Sequence, residues 1–518
     1  MIKQKLRITV ILCFLINTIL SIGQTSIPQN VEIALSKAGK NKEELKKVIL
    51  HYQKLKDNQK LQAAYFLIAN MPEHYSEDYI WTDETGKNLN FDELKYPDME
   101  NSLKAFSQLK IKTKIRGKTI TYKDVDVVSS GLLIRNIDLA FEVWKKPWNK
   151  NLSFEDFCEY ILPYRVCIEP LQDWRQTFYN RFSPFISQLK NGGKDYELCN
   201  LVNENLKTWF VETYGLEKRQ EKLPLLGPLN LLHRKQGECP DMVNLTVYAM
   251  RSVGVACCMD FAPYWPTSSG GHYWNLTFDQ NGKPMMFMGV THNPGTYLID
   301  RELAKVFRMT YAKQNNSLAA LAKPDEIPEE FLKTPYIKDV TSNYVKTQHV
   351  KIQSFIRNLP NIRFAFLSVF NYSDWRITDW AKLEMQSGCN CAEFKNIGQG
   401  CMYLPVIYHE KRKSPISYPF SISLSGEKWF YKPDTEHKQT ISLHQQDGYL
   451  IYRSEKKYTL YFWNNKWIEQ ETQTYHGDKP FLIFKNVPAN AVFLLRPEYS
   501  QGKERIFTID NNGNRIWW

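Results

Sequence analysis

The sequence predicts an α+β protein of several domains, with a helical N-terminal region, a small α+β core and a C-terminal β-sandwich region. Three observations support this prediction. Apolar residues recur at helical spacing through 31–70 and 129–189, one helix followed by a hairpin fits 239–289, and short alternating runs separated by turn residues continue beyond 350. The chain has 518 residues, a length greater than that of one ordinary domain, and 43% of the residues are hydrophobic.

Composition shifts and turn signals divide the chain further. Asn191-Gly192-Gly193 is the first internal boundary, and helical character is expected to return at Glu302–Tyr311. We therefore predict six segments: a signal peptide (1–23), a mainly helical region (24–190), the α+β core (191–315), a linker (316–349), a β-rich domain (350–435) and a sandwich-like domain (436–518).

The first 23 residues are typical of a secretory signal peptide. Lys3, Lys5 and Arg7 precede the apolar run Ile8–Ile16, and small residues follow up to Gly23, where cleavage is expected. The run is short for a bilayer span of about 20 residues. We expect an exported protein, periplasmic or at the cell surface or extracellular, with no transmembrane segment in the mature chain.

Charge and cysteine content exclude several function classes. The formal net charge is +12, but no polybasic block is present, so we expect no nucleic-acid partner. Nine cysteines follow Cys13, and an odd number leaves at least one thiol outside any intrachain disulfide. Because no Cys-x-x-Cys pair occurs, we expect no zinc site, and we predict no cofactor.

One segment places a cysteine where a nucleophile is favoured. Pro240 suits the first position of a helix and Gly254 suits its end, so Cys239 is expected at the helix N-cap. Unpaired N–H groups and the positive end of the helix dipole favour a thiolate there. Asp241 opposes this effect, and the alternative is that Cys239 is simply a small buried side chain.

A histidine begins the strand that follows. Val255–Phe261 is predicted as a strand, Gly270-Gly271 ends the next loop, and His272 opens a second strand that turns at Gln280–Lys283. Glycines before a histidine allow another element to approach it closely, as a thiol partner requires. A lone histidine is otherwise more often structural.

These motifs together resemble the transglutaminase-like superfamily, whose members share a papain-like Cys-His-Asp arrangement. The matching features are Gly-x-Cys-x-Asp around Cys239, Arg251 and Gly254 later in the helix, and Gly-His-x-Trp-Asn around His272. The match covers about 196–300, and the flanking sequence resembles large exported transglutaminase-domain proteins of Bacteroidetes-type bacteria. The resemblance implies that Cys239 is the nucleophile and His272 the general base.

The third member of the triad departs from the family pattern. Phe287-Met288-Gly289 occupies the positions where an aspartate is expected. Asp279, Asn293 and Asp300 are nearby candidates, and none matches the pattern cleanly. Either a neighbour such as Asn293 orients the imidazole, or the triad is incomplete.

The sequence therefore predicts an exported cysteine-dependent acyl-transfer enzyme. By analogy, hydrolysis of an amide in a peptide, glycopeptide or carbohydrate-linked substrate is preferred over protein cross-linking. The alternative is a catalytically degenerate scaffold that binds carbohydrate or protein.

Overall fold

A computed structural model describes residues 26–194, 196–213, 225–331, 333–357, 359, 361–446 and 450–518. The predicted signal peptide and its cleavage position lie outside the described residues. Within these ranges the chain combines helices with antiparallel strands in several sheets, which confirms the α+β prediction. No described helix has the length and apolar character that crossing a membrane requires.

Twelve α-helices occur among the described residues, and all of them precede the large C-terminal sheets in the sequence. They are α1 (Gln29–Lys37), α2 (Lys42–Leu55), α3 (Asn58–Asn70), α4 (Met99–Lys112), α5 (Asp124–Val127), α6 (Ser130–Trp144), α7 (Phe154–Tyr160), α8 (Arg175–Phe182), α9 (Glu197–Lys207), α10 (Pro228–Arg234), α11 (Cys239–Ser252) and α12 (Leu318–Leu321).

The first nine strands belong to the N-terminal region and the core. They are β1 (Tyr75–Thr82), β2 (Arg116–Lys123), β3 (Val211–Glu212), β4 (Gln236–Gly237), β5 (Cys257–Ala262), β6 (His272–Phe278), β7 (Pro284–Phe287), β8 (Phe307–Met309) and β9 (Ile337–Asp339).

The remaining described strands form the C-terminal sheets. They are β10 (Thr347–Gln353), β11 (Phe364–Asn371), β12 (Asp374–Gln386), β13 (Cys389–Gly398), β14 (Cys401–His409), β15 (Arg412–Pro415), β16 (Phe420–Ile422), β17 (Lys428–Phe430), β18 (Asp434–His444), β19 (Lys456–Trp463), β20 (Trp467–Tyr475), β21 (Phe481–Ala489), β22 (Phe493–Pro497), β23 (Ile506–Ile509) and β24 (Arg515–Trp517).

The N-terminal helices owe their positions to apolar stripes. Leu45, Val48, Ile49 and Tyr52 on α2 are all buried, and they join the inner faces of α1, α3, α6 and α7 in one core. Helices with such a stripe are stable mainly through packing against each other. Between α3 and α5 the chain also forms the antiparallel pair β1–β2.

The core consists of helix α11 packed against the five-stranded antiparallel sheet β7-β6-β5-β8-β9. Every residue of α11 from Asp241 to Ser252 is buried. A helix that is covered on all sides is held rigidly, because any movement would require its neighbours to repack. This rigidity fixes the position of the residue at its N-terminus.

The predicted helix at Glu302–Tyr311 is wrong. The chain there forms β8, which pairs with β5 through Phe261↔Phe307 and with β9 through Phe307↔Asp339. Leu303, Val306 and Phe307 have helical spacing, but such a short apolar run fits a buried strand equally well. Cross-strand pairing decides between the two structures.

The C-terminal half contains an eight-stranded sheet in the order β10-β13-β12-β11-β14-β16-β17, with β15 on β14. A five-stranded sheet, β20-β19-β22-β23-β24, and the pair β18–β21 follow. All these ladders are antiparallel, and each has a buried apolar face. The segment 316–349 contributes α12 and β9, of which β9 is an edge strand of the core sheet.

Candidate functional site

Cys239 is the first residue of α11. Glu238, rather than Cys239, is the N-cap, and it forms a reciprocal capping box with Asp241, whose Oδ2 accepts from the Glu238 N–H at 3.0 Å. Pro240 follows at the start of the helix and has no N–H to satisfy. The helix start therefore holds the Cys239 side chain at a fixed point beside the core sheet.

The structure brings Cys239 and His272 together. Sγ of Cys239 lies 3.5 Å from Nδ1 of His272 and 3.2 Å from the carbonyl oxygen of Tyr273. His272 begins β6, which lies next to α11 in the core. The two residues are 33 positions apart in the sequence, and only the packing of α11 on β6 makes them neighbours.

Two glycines permit the tight loop that precedes His272. Gly270 has a φ of +89°, a conformation that favours glycine. At Gly271 a Cβ would overlap the carbonyl oxygen of Pro263. The sequence-based inference that these glycines allow close backbone approach is therefore consistent with the geometry of the loop.

Asn371, at the end of β11, clamps the same loop from the C-terminal half. Its side-chain amide nitrogen lies 2.8–2.9 Å from the carbonyl oxygens of Trp265, Ser268 and Gly270, which share its two N–H donors. Its Oδ1 accepts from the Gly270 N–H at 3.0 Å. Asn371 is fully buried, so these bonds replace water completely and anchor the chain just before His272.

Tyr297 contacts the other ring nitrogen of His272. The Tyr297 hydroxyl lies 2.6 Å from Nε2, opposite the nitrogen that faces Cys239. When Nε2 carries the proton and donates to this oxygen, Nδ1 is left free to accept a proton from sulfur. Tyr297 thus occupies the place at which the resemblance implied an aspartate.

The three residues predicted for that place lie elsewhere. Asp279 accepts backbone N–H groups within its own hairpin turn, and Asp300 is exposed beside Arg301, 3.8 Å away. Asn293 is held by α9, through Asn203 at 2.8 Å and Glu204 at 2.5 Å.

Gly289 leaves no room for a carboxylate at one of the three positions where the resemblance implied an aspartate. A Cβ at Gly289 would overlap Oγ1 of Thr246 on α11, and its N–H donates to Asn275 at 3.1 Å. At position 289 the chain passes too close to the helix for any side chain. The loop beyond it reaches back to His272 through Tyr297.

Burial makes the resting pair neutral. It raises the pKa of Cys239 to about 12, with a further contribution from the carboxylates of Glu212 and Glu238, and it lowers the pKa of His272 to about 4, with a contribution from Arg301. Burial also raises the pKa of Tyr297, so its hydroxyl stays protonated. The expected stabilisation of a thiolate at the helix start is therefore outweighed by desolvation.

Aromatic and cationic groups surround the histidine. The ring of His272 lies between Trp265 and Trp274, with centroids 5.9 Å and 6.1 Å away. Arg301 stacks over Trp265 at 5.5 Å and donates to Ser268 at 2.6 Å. Half of the Arg301 side chain remains exposed, so this cation is in contact with solvent.

A buried network supports the site from behind. Nε1 of Trp274 donates to the Tyr344 hydroxyl at 3.0 Å, and that hydroxyl donates to Asp260 at 2.5 Å. Arg308 pairs with both oxygens of Asp260 at 2.8 and 2.9 Å. This network fixes Trp274 and ties 341–345 to the core sheet.

The first turn of α11 leaves one backbone N–H outside the capping box. The capping box uses the N–H groups of Glu238 and Asp241, and Pro240 has none, which leaves the N–H of Cys239 as the available donor among the described first-turn residues. The side-chain amide of Gln236, three residues before Cys239, lies against Sδ of Met99, 3.6 Å away.

Comparison with known proteins adds little at this point. No family model matches the chain, and no curated protein matches it. Among solved structures, a transglutaminase from red sea bream is matched over 86% of this chain and 77% of that chain, with 7% sequence identity and a TM-score of 0.23. A TM-score this low carries no argument about fold or activity, so the site must be judged on its own geometry.

Sequence reasoning missed Tyr297 and Asn371. Tyr297 lies in an irregular loop whose course is not encoded by any periodic pattern, and tyrosine is not the residue type that the resemblance implied. Asn371 is 99 positions after His272 and ends a strand of a different sheet. Within the described residues, no group of three His, Cys, Asp or Glu side chains is arranged to hold a metal ion.

Proposed function

We propose that the protein is a transglutaminase-like, cysteine-dependent acyl-transfer enzyme that hydrolyses an amide bond in a peptide or glycopeptide. The observation that carries this proposal is the 3.5 Å contact between Sγ of Cys239 at a helix start and Nδ1 of His272 at a strand start. This contact supplies a nucleophile and a base in hydrogen-bond reach.

The reaction begins from the neutral pair. As Sγ bonds to the amide carbonyl carbon, its proton passes to Nδ1 of His272 and the carbonyl oxygen becomes negative. The N–H of Cys239 stabilises that oxygen. Collapse of the intermediate breaks the C–N bond, and the leaving amine takes the proton from Nδ1. Water then attacks the thioester by the same route, which releases the acid and restores the thiol.

Tyr297 acts as a positioning residue in this scheme. By accepting from Nε2–H, its hydroxyl selects the tautomer with a free Nδ1 and holds the ring toward sulfur. A neutral hydroxyl stabilises the imidazolium less than a carboxylate does. We therefore expect a slower first step than an aspartate would give.

The predicted export of the chain determines which substrates it meets. Outside the cell the chain would meet peptides and peptides attached to glycans.

The direct test is a substrate panel assayed with the full mature chain and matched variants. Peptide amides and glycopeptides are incubated with the wild-type protein and with the variants Cys239→Ala and His272→Asn, and the products are identified by mass spectrometry. We expect amide cleavage by the wild type, loss of at least a thousandfold in both variants, and a covalent acyl adduct on Cys239.

Matched controls separate chemistry from folding. Cys389→Ser changes a partly exposed thiol in the C-terminal sheet, and His349→Asn changes an exposed histidine on β10. Both controls should retain wild-type activity. If Cys239→Ala behaved like the wild type across the panel, the enzymatic proposal would be wrong and the binding scaffold would remain.

A further inference from the structure

A large cavity lies away from Cys239, between the edge of the core sheet and the C-terminal sheet. It has a volume of about 750 Å³ and is lined by β8, β9, the segment 314–321, β12 and β13. We call it the inter-sheet cleft. Its volume falls in the range of ligand-binding pockets, and its lining contains neither Cys239, His272 nor Tyr297.

The cleft exists because two strands separate. β12 pairs with β13 only from Leu383↔Ala392 to Gln386↔Cys389. Before that point β12 stays with β11 over residues 374–382, while β13 stays with β10 up to Gly398. Residues 379–382 and 393–396 are thus drawn apart, and a bulge beside Leu367 increases the bend of β12 at this place.

Lys305 closes the floor of the cleft. Its Nζ pairs with Asp339 at 2.6 Å and Asp379 at 3.1 Å, and it donates to the carbonyl oxygen of Lys395 at 2.8 Å. The Lys305 side chain is only 2% exposed. A buried charge with three partners is rigid, because losing any one of them would leave an uncompensated charge.

Trp380 forms part of the wall. Its ring is partly exposed toward the cleft and is held edge-on by Phe364, with centroids 5.7 Å apart. The neighbouring Lys382 and Glu384 on the same strand are exposed. An aromatic face fixed by a neighbour loses little conformational entropy when a flat, partly apolar ring stacks on it.

The charges that line the cleft nearly cancel. Five lysines face four carboxylates, and amide side chains lie between them. Such a lining offers many donors and acceptors without selecting for a cation or an anion. It suits a neutral ligand that carries many hydroxyl groups and apolar C–H faces.

We propose that the inter-sheet cleft binds an oligosaccharide, with Trp380 as the platform for one sugar ring. The lysine, carboxylate and amide side chains bind the hydroxyl groups. This goes beyond the proposed function, because it requires nothing of Cys239. An extended peptide added to β13 is disfavoured, since Lys305 already occupies the Lys395 carbonyl at that strand edge.

The test is binding of the full mature chain to an array of defined oligosaccharides, followed by calorimetric titration of the best-bound one. Trp380→Ala should weaken binding at least tenfold, and Trp380→Phe should weaken it less. Trp429→Ala is the matched control, because Trp429 is 62% exposed on β17 and lies outside the cleft. The Trp429→Ala variant should bind the oligosaccharide with the affinity of the wild type. The double variant Lys382→Ala with Glu384→Ala removes two polar side chains of the cleft at exposed positions, so it tests the cleft without disturbing the core.

Several results would overturn the proposal. These are no oligosaccharide bound, equal affinity in Trp380→Ala and wild type, or a peptide from a random library that binds the wild type but not Trp380→Ala. If Trp380→Ala does not fold, as judged by its melting curve, the affinity of the exposed double variant Lys382→Ala with Glu384→Ala decides. Wild-type affinity for the oligosaccharide in that variant would overturn the proposal. Cys239→Ala should bind the oligosaccharide like the wild type, so loss of hydrolysis and loss of sugar binding are separate outcomes.

Discussion

The position of Cys239 at a buried helix start, beside His272, has two opposing effects on the pKa of its thiol. A helix start favours a thiolate, but the buried position in which α11 holds Cys239 raises its pKa to about 12 and lowers that of His272 to about 4. The desolvation cost of separated charges exceeds the effect of the dipole. The pair is therefore a thiol and a neutral base at pH 7.

This ionisation state predicts the pH profile of activity. Protonation of His272 removes the base, so kcat/KM should fall as the pH drops through about 4 and stay level through neutrality. Because the Arg301 cation helps to lower this pKa, Arg301→Gln should move the acid limb to higher pH. The profile is measured with the substrate found in the panel. An acid limb near 6.5 in the wild type would contradict the neutral pair.

Tyr297→Phe tests the positioning hydroxyl. The variant keeps the ring but removes the acceptor for Nε2–H, so the productive tautomer loses a bond of about 0.5–1.5 kcal/mol. We expect kcat to fall by roughly two- to tenfold with little change in KM. Tyr264→Phe, which removes a hydroxyl bonded to the Glu330 carbonyl, is the control and should be unaffected. An unchanged kcat in Tyr297→Phe would show that the ring needs no such partner.

At the scale of elements, the first turn of α11 both contributes to the stability of the fold and positions Cys239. The capping box fixes the first turn, and the buried body of the helix fixes the rest. Asp241→Ala removes the acceptor of the Glu238 N–H and should lower the free energy of unfolding by about 1–2 kcal/mol. Denaturant titration measures this loss.

The matched control for Asp241 is Asp98, which caps the exposed helix α4 through the Asn101 N–H. Asp98→Ala should lower the free energy of unfolding by about 1 kcal/mol or less and leave the alkylation rate of Cys239 unchanged. Asp241→Ala should lower the free energy of unfolding and also change that alkylation rate. Equal alkylation rates in the two variants would mean that the cap does not position the cysteine.

The core elements were the most predictable part of the fold. The strands at 257–262 and 272–278 and the hairpin return at 284–287 match the predicted ones closely, because turn residues and alternation mark them locally. Helix α9 ends at Lys207, and the chain that follows forms Val211–Glu212, which pairs with β4. Boundaries of this kind depend on which partner a segment finds.

At the scale of the whole molecule, the C-terminal half supports the Cys-His site. Asn371 holds the loop before His272 through four polar contacts. Arg505 donates to the carbonyl oxygen of Phe370 at 2.7 Å and to that of Pro266, which belongs to the same loop. The β-rich region therefore holds the histidine in place as well as carrying the inter-sheet cleft.

Asn371→Ala should loosen this loop. Removing the amide that bonds three carbonyl oxygens and one N–H frees 265–270, so kcat should fall severalfold and amide exchange in 264–272 should quicken. Asn390→Ala is the matched control, since the buried Asn390 donates to the carbonyl oxygens of Ile356 and Arg357, far from the site. It should lose stability without changing exchange near His272. Unchanged exchange in Asn371→Ala would contradict the clamp.

The sequence by itself determined the helix that begins at Cys239, the strand that begins at His272 and the β-rich character of the C-terminal half. These features follow from local signals: proline and glycine at helix ends, alternating apolar residues and turn residues. Local signals also singled out the two residues that the fold brings within 3.5 Å.

Only the tertiary structure decided which group orients His272, how the pair ionises and what clamps the loop. Gly289 runs against Thr246 and has no room for a side chain, whereas Tyr297 reaches His272 from an irregular loop. Desolvation depends on everything packed around Cys239, and Asn371 comes from a separate sheet. These properties arise from contacts between residues distant in sequence, and no local pattern encodes such contacts.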